Sequence, residues 1–124
     1  MTPYERLLQY AQEQGIHVRG CSDARCLGKA TKYPDGNYIT IDFNRIRTSA
    51  VAAEVLAHEL GHFATDSFDE EHSAWEWAVS ALAPRGEVYN ALENNDGNTW
   101  LAATEMGVSH DFFVRALRKY EEEQ

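Results

Sequence analysis

Thr48-Ser49-Ala50-Val51-Ala52-Ala53-Glu54-Val55-Leu56-Ala57-His58-Glu59-Leu60-Gly61-His62-Phe63-Ala64 decides how the rest of the chain is read. Thr48 or Ser49 offers a side-chain oxygen to cap a helix from about Ala50 to Ala64. Val51, Val55 and Leu56 recur at helical spacing, with Ala52, Ala53 and Ala57 filling in. Inside this helix stands His58-Glu59-Leu60-Gly61-His62. The two histidines lie one turn apart and project from one face. Such a pair can hold one Zn²⁺ at ~2.0–2.1 Å. Glu59 points about 100° round from His58. It can reach a water activated by the metal but is poorly placed to bind the metal itself. The pattern is that of metal-assisted hydrolysis, with Glu59 taking a proton from water and delivering it to a leaving amine. The plain alternative is two satisfied histidines beside a solvated glutamate. Gly61 argues against it: a mid-helix glycine costs ~1 kcal/mol relative to alanine, and a closely approaching backbone would justify one.

A catalytic site needs a third protein ligand and an open fourth position. A histidine six residues after His62 would supply it, but that position is Phe68. Asp66, Asp69, Glu70, Glu71 and Glu76 are carboxylate candidates, and His72 is a nitrogen alternative. A second helix is expected from about Asp69 to Ala83, ended by Pro84 and apolar nearly all round. On it Glu71 shares a face with Ala74, Trp75, Ala78 and Leu82, the small apolar face able to pack on the histidine helix. Glu70 and Glu76 sit further round, Asp69 suits an N-cap, and His72 is expected to be exposed or to support a ligand from behind.

Outward from this pair, Thr2-Pro3 opens an N-terminal helix that Gly15 stops, and Ile16-His17-Val18 reads as a short strand. Residues 20–30 are loop-like. Pro34-Asp35-Gly36 is a turn signal, and Tyr38-Ile39-Thr40-Ile41 alternates behind it, so Lys32 to Asp42 reads as a β-hairpin. Short helices are expected over 86–94 and 98–106, and a last one from Ser109 to Glu122. Trp75, Trp77 and Trp100 are expected in the core. The fold class is α+β: a mostly helical body with a small antiparallel sheet.

The 124 residues suit a single domain. Lys plus Arg number 11 against 20 Asp plus Glu, a formal charge of −9. An acidic chain gains nothing from counterion release, so neither nucleic acid nor an anionic membrane surface is an expected partner. No apolar run approaches the ~20 residues of a spanning helix, and the N-terminus lacks an apolar signal region, so the cytoplasm is the expected compartment. Cys21 and Cys26, spaced C-x4-C, read as ordinary reduced thiols rather than as half of a zinc site completed by His17.

The run Ile39-Thr40-Ile41-Asp42 … Ala57-His58-Glu59-Leu60-Gly61-His62 … Glu71-x-x-Ala74-x-x-Trp77-Ala78 … Leu82-x-Pro84 resembles the ImmA/IrrE family of metallopeptidases, above all its small members carried by phages and integrative elements. The resemblance extends to the tail Val108-Ser109 … Phe112-Phe113-Val114-Arg115-Ala116-Leu117. It implies a zincin-like fold with a gluzincin-like site: metal ligands His58, His62 and Glu71, and Glu59 as the catalytic glutamate. It also implies a substrate, a helix-turn-helix transcriptional repressor whose cleavage induces genes of the mobile element. Trp75 departs from the family, which commonly has a small or polar residue there, often Asn or Asp, able to support a ligand.

In that architecture a strand edge near the metal commonly holds the peptide by β-addition. Tyr38, Ile39, Thr40 and Ile41 are the candidate substrate-binding residues, against the alternative of a fully paired internal strand. Residues 98–120 resemble a helix-turn-helix, with Gly107 at the turn. Its second helix offers Arg115, Arg118 and Lys119 but ends in glutamates. A hairpin packed on the metal domain is therefore favoured over DNA contact. Zn²⁺ is the first choice for two histidines and a carboxylate, and Mn²⁺ or Fe²⁺ also fit. The competing function is a regulatory module that grips a repressor or another partner without cutting it.

Overall fold

The computed structural model describes residues 1–21 and 27–123. In chain order these form α1 (Pro3–Glu13), β1 (Ile16–Gly20), β2 (Gly28–Tyr33), β3 (Gly36–Ile41), α2 (Ser49–Ala64), α3 (Glu71–Leu82), α4 (Arg85–Asn94), α5 (Thr99–Met106) and α6 (His110–Glu122). The architecture is mostly helical α+β, with one three-stranded sheet among the described residues.

Helix boundaries follow local chemistry. Thr2 and Glu5 form a reciprocal capping box at the start of α1, with Pro3 in its first turn. Thr48, not Ser49, caps α2 by accepting from the Val51 N–H. Gly107, at φ 74°, ends α5 in the left-handed conformation that glycine adopts without penalty. Ser109 then caps α6. Asp69 has no such role: α3 begins at Glu71, two residues later than expected.

Pro34 and Asp35 turn β2 into β3, and the two pair antiparallel. The sheet order is β1-β3-β2, and β1 runs parallel to β3. The sheet is therefore mixed rather than wholly antiparallel, because α1 delivers β1 to the far side of the hairpin. Ile39 and Ile41 of the central strand are fully buried in the cluster that also holds Leu56 and Leu60 of α2.

The helix buried all round is α2, not α3. Every residue from Ala52 to His62 is buried, enclosed by α1, α3 and the sheet. In α3 only Ala74, Ala78 and Val79 are buried, and Trp75 and Trp77 lie half-buried at the margin. Trp100 is not a core residue: it is 67% exposed and stacks flat on His110, with ring centres 3.6 Å apart. The α5–α6 hairpin packs on α4 and α3 through Phe112, Phe113, Ala116 and Tyr120. Three hydrogen bonds lock it there. The Tyr120 hydroxyl donates to the Ala83 carbonyl at 2.7 Å, and buried Glu54 of α2 accepts from both the N–H and the hydroxyl of Ser109. Cys21 carries a free thiol; Cys26, its expected neighbour, lies outside the described residues. No helix among the described residues is long and apolar enough to cross a membrane.

Candidate metal centre

Gly61 sets the distance between α2 and α3. A β-carbon built there would stand 2.5 Å from the Ala74 carbonyl oxygen and 2.9 Å from the Ala74 Cα. Only a glycine opposite a small residue lets the two backbones meet this closely. That contact brings the first turn of α3, and Glu71 with it, over the histidine face of α2.

His58, His62 and Glu71 each present a donor atom, all within 4.8 Å of one another. The Nε2 of His58 lies 2.5 Å from one Glu71 oxygen, and the Nε2 of His62 lies 3.3 Å from the other. Two imidazoles and one carboxylate on a common point suit a tetrahedral divalent cation with one position left open. Among the described residues this is the one group of histidine, cysteine and carboxylate side chains so placed. Asp66, Asp69, Glu70, Glu76 and His72 stand outside it. His72 is exposed and pairs with Glu76, and Asp66 pairs with Lys32.

The connection after α2 orients the second histidine. Thr65 donates to the Gly61 carbonyl at 2.7 Å, and Asp66 takes a left-handed φ of 51°. The reversed chain lays the Ser67 carbonyl 2.8 Å from His62 Nδ1. A carbonyl only accepts, so Nδ1 carries the hydrogen and Nε2 presents its lone pair to the cation position. His58 has no equivalent. Its Nδ1 is buried without a hydrogen-bond partner, which costs about 1–3 kcal/mol. Burial, chiefly, holds the His58 pKa below its ordinary value, and the Glu71 carboxylate pulls the other way. A neutral ring is the form a metal ligand requires.

Glu59 lies on the same helix, buried, its carboxylate 3.9 Å from His58 Nε2 and not part of the three-residue group. Burial pushes its pKa up to about 7, a rise that nearby His62 and a hydrogen bond from the Ala30 backbone hold back. A carboxylate near neutrality can both take and return a proton.

The cleft over the site has a volume of 610 Å³ and is walled by Leu27 to Ala30, Val55, Phe68 and Trp75. Its strand is β2. Tyr38, Ile39, Thr40 and Ile41 belong to β3, which is paired on both sides, so they present no open edge for a peptide. The edge beside the site is β2. The Asp42 N–H bonds the Leu27 carbonyl. Antiparallel alternation then turns the backbone of Gly28, Ala30 and Lys32 away from β3, in keeping with the Ala30 N–H reaching Glu59. Gly28 permits this approach, since a β-carbon there would stand 2.6 Å from Val55 and 3.1 Å from Glu59. Sequence reasoning began the hairpin only at Lys32 and so missed the first part of β2, with Gly28, and the Ser67 carbonyl. Only the glycine left a local trace, within a stretch read as loop.

Comparison with family models, with curated proteins and with solved structures finds no match to this chain.

Proposed function

We propose that the chain is a zinc-dependent endopeptidase. The observation that supports this best is the pairing of two sets of groups in one cleft: three metal-ligating side chains, and a buried carboxylate poised near neutrality beside them. His58, His62 and Glu71 hold the cation, which supplies Lewis acidity to a scissile carbonyl and to water. Glu59 takes the attacking water's proton. The water oxygen bonds to the carbonyl carbon, and as the carbon–nitrogen bond breaks Glu59 passes that proton to the departing nitrogen, leaving a carboxylic acid and a free amine. The peptide lies extended along the outward edge of β2, adding a strand beside Glu59.

The proposed substrate, a helix-turn-helix repressor of a phage or other mobile element, rests on the resemblance in the metal-ligand and tail motifs. Manganese or iron would suit the same donors. The test uses a repressor encoded beside this chain. Zinc-loaded protein is expected to cut it, and Glu59→Gln to bind zinc normally yet cut at least ~10³-fold more slowly. If Glu59→Gln still relieves repression at full strength, the chain acts by gripping its partner, and the peptidase reading is wrong.

A further inference from the structure

The two imidazoles of the metal centre are held in different ways. His62 is tethered through Nδ1 to the Ser67 carbonyl. His58 Nδ1 is the one buried side-chain polar atom among the described residues that lacks a hydrogen-bond partner. What His58 has is a ring face covered by another ring. The indole of Trp75 lies against it, with centroids 4.1 Å apart and planes tilted by 35°. The indole is itself held from α6. The Arg115 guanidinium carbon sits 4.3 Å from the Trp75 ring, and Phe112 borders it at 6.3 Å.

We infer that Trp75 is the positioning residue for His58, doing by aromatic packing for the first ligand what the Ser67 carbonyl does for the second. A ligating imidazole needs its ring plane fixed so that the Nε2 lone pair meets the cation. A hydrogen bond at Nδ1 fixes it at the rim; a flat plate fixes it across the face. The plate also favours the loaded state. An imidazole bound to a divalent cation is electron-poor, and the face of an indole attracts electron-poor groups. Arg115 and Phe112 keep the plate in place from another helix, so α6 takes part in the site without touching a ligand. Neither Trp77, which packs on Tyr10, nor exposed Trp100 contacts a ligand ring.

The inference rests on the metal-centre reading but not on proteolysis, and zinc itself is the probe. Zinc affinity is measured by competition with a chromophoric chelator, on the full chain and on Trp75→Phe, Trp75→Leu and Trp77→Leu. The visible spectrum of the cobalt-loaded proteins reports ligand geometry. Trp75→Phe is expected to keep most of the affinity. Trp75→Leu keeps apolar bulk but removes the ring, and is expected to lose about 10–100-fold with a changed cobalt spectrum. Trp77→Leu is expected to lower stability and leave both readouts unmoved. Equal affinity in the Phe and Leu variants overturns the inference, as does an equal loss in Trp77→Leu. A wild-type chain that binds no zinc overturns the metal centre itself, an outcome distinct from either.

Discussion

The Ala74 backbone occupies the space that a side chain at Gly61 would fill, its carbonyl oxygen 2.5 Å from the position of a β-carbon there. Gly61→Ala brings a helix-propensity gain of ~1 kcal/mol. Against it stands an overpacking cost of about 1–3 kcal/mol, because the obstacle is backbone and cannot rotate aside. The larger effect falls on the site: α3 must withdraw, and Glu71 goes with it. Zinc affinity is expected to fall by more than the thermal stability suggests. Titration of Gly61→Ala beside a thermal melt checks this; normal zinc affinity would show that α3 is not held by this contact.

Glu59 gives the metal-free protein a distinctive pH dependence. Its folded pKa of about 7 lies above the ordinary 4.5, so the folded chain binds this proton more tightly than the unfolded chain. The stability linked to it is full below pH 4.5, declines as pH rises, and is gone above about 7. Gln at this position does not titrate. Metal-free Glu59→Gln is expected to be more stable than wild type by about 3 kcal/mol at pH 8 and equal to it near pH 4.5. His58, whose pKa burial lowers, contributes stability in both proteins that is lost as pH falls below its ordinary 6.5. Denaturant melts across this range provide the measurement.

Proline separates the two strands nearest the site. Ala30 turns its N–H away from the ladder, so Ala30→Pro is expected to fold, to bind zinc and to lose cleavage, because the edge then lacks its donor to Glu59 and is blocked to a peptide. Thr40 sits on the central strand opposite Lys29 and Arg19. Thr40→Pro removes a ladder bond there and is expected to cost about 3 kcal/mol or more. Circular dichroism, zinc titration and repressor cleavage distinguish the outcomes. Undiminished cleavage by Ala30→Pro would rule out peptide addition on β2.

Ser109 joins α6 to α2 through Glu54, and neither residue belongs to the candidate metal group. Its hydroxyl caps the Phe112 N–H and donates to Glu54 at 2.6 Å. Burial raises the Glu54 pKa, and these bonds hold it down. Ser109→Ala is expected to cost about 1–3 kcal/mol and to leave zinc affinity unchanged, as read by urea unfolding and zinc titration.

Features written in local chemistry were legible in the sequence. His58 and His62 are four residues apart on one helix, and helical geometry alone aims them together. Glu71 emerged because it shares a face with Ala74 and Ala78, the residues that meet α2. Pro34-Asp35-Gly36 announced the hairpin. What stayed hidden depends on distant partners. Nothing between Ile16 and Gly20 says that β1 docks parallel to β3, yet that docking removes Tyr38 to Ile41 from the sheet edge and leaves the edge to β2. Composition also misplaced the buried helix. The alanines of α2 look modest beside the tryptophans of α3, but small residues are what a fully enclosed helix needs, and large rings fit a margin.

Glu71 is 68% exposed, whereas the His58 and His62 side chains are almost wholly enclosed. Two donors are therefore fixed when the chain folds, and the third stands at the rim, where a swing of one carboxylate opens the way to solvent. A cation held there would exchange without unfolding the chain. On the proposed reading its occupancy would follow the surrounding supply, so scarcity of the ion would switch off the chemistry while the scaffold stays intact.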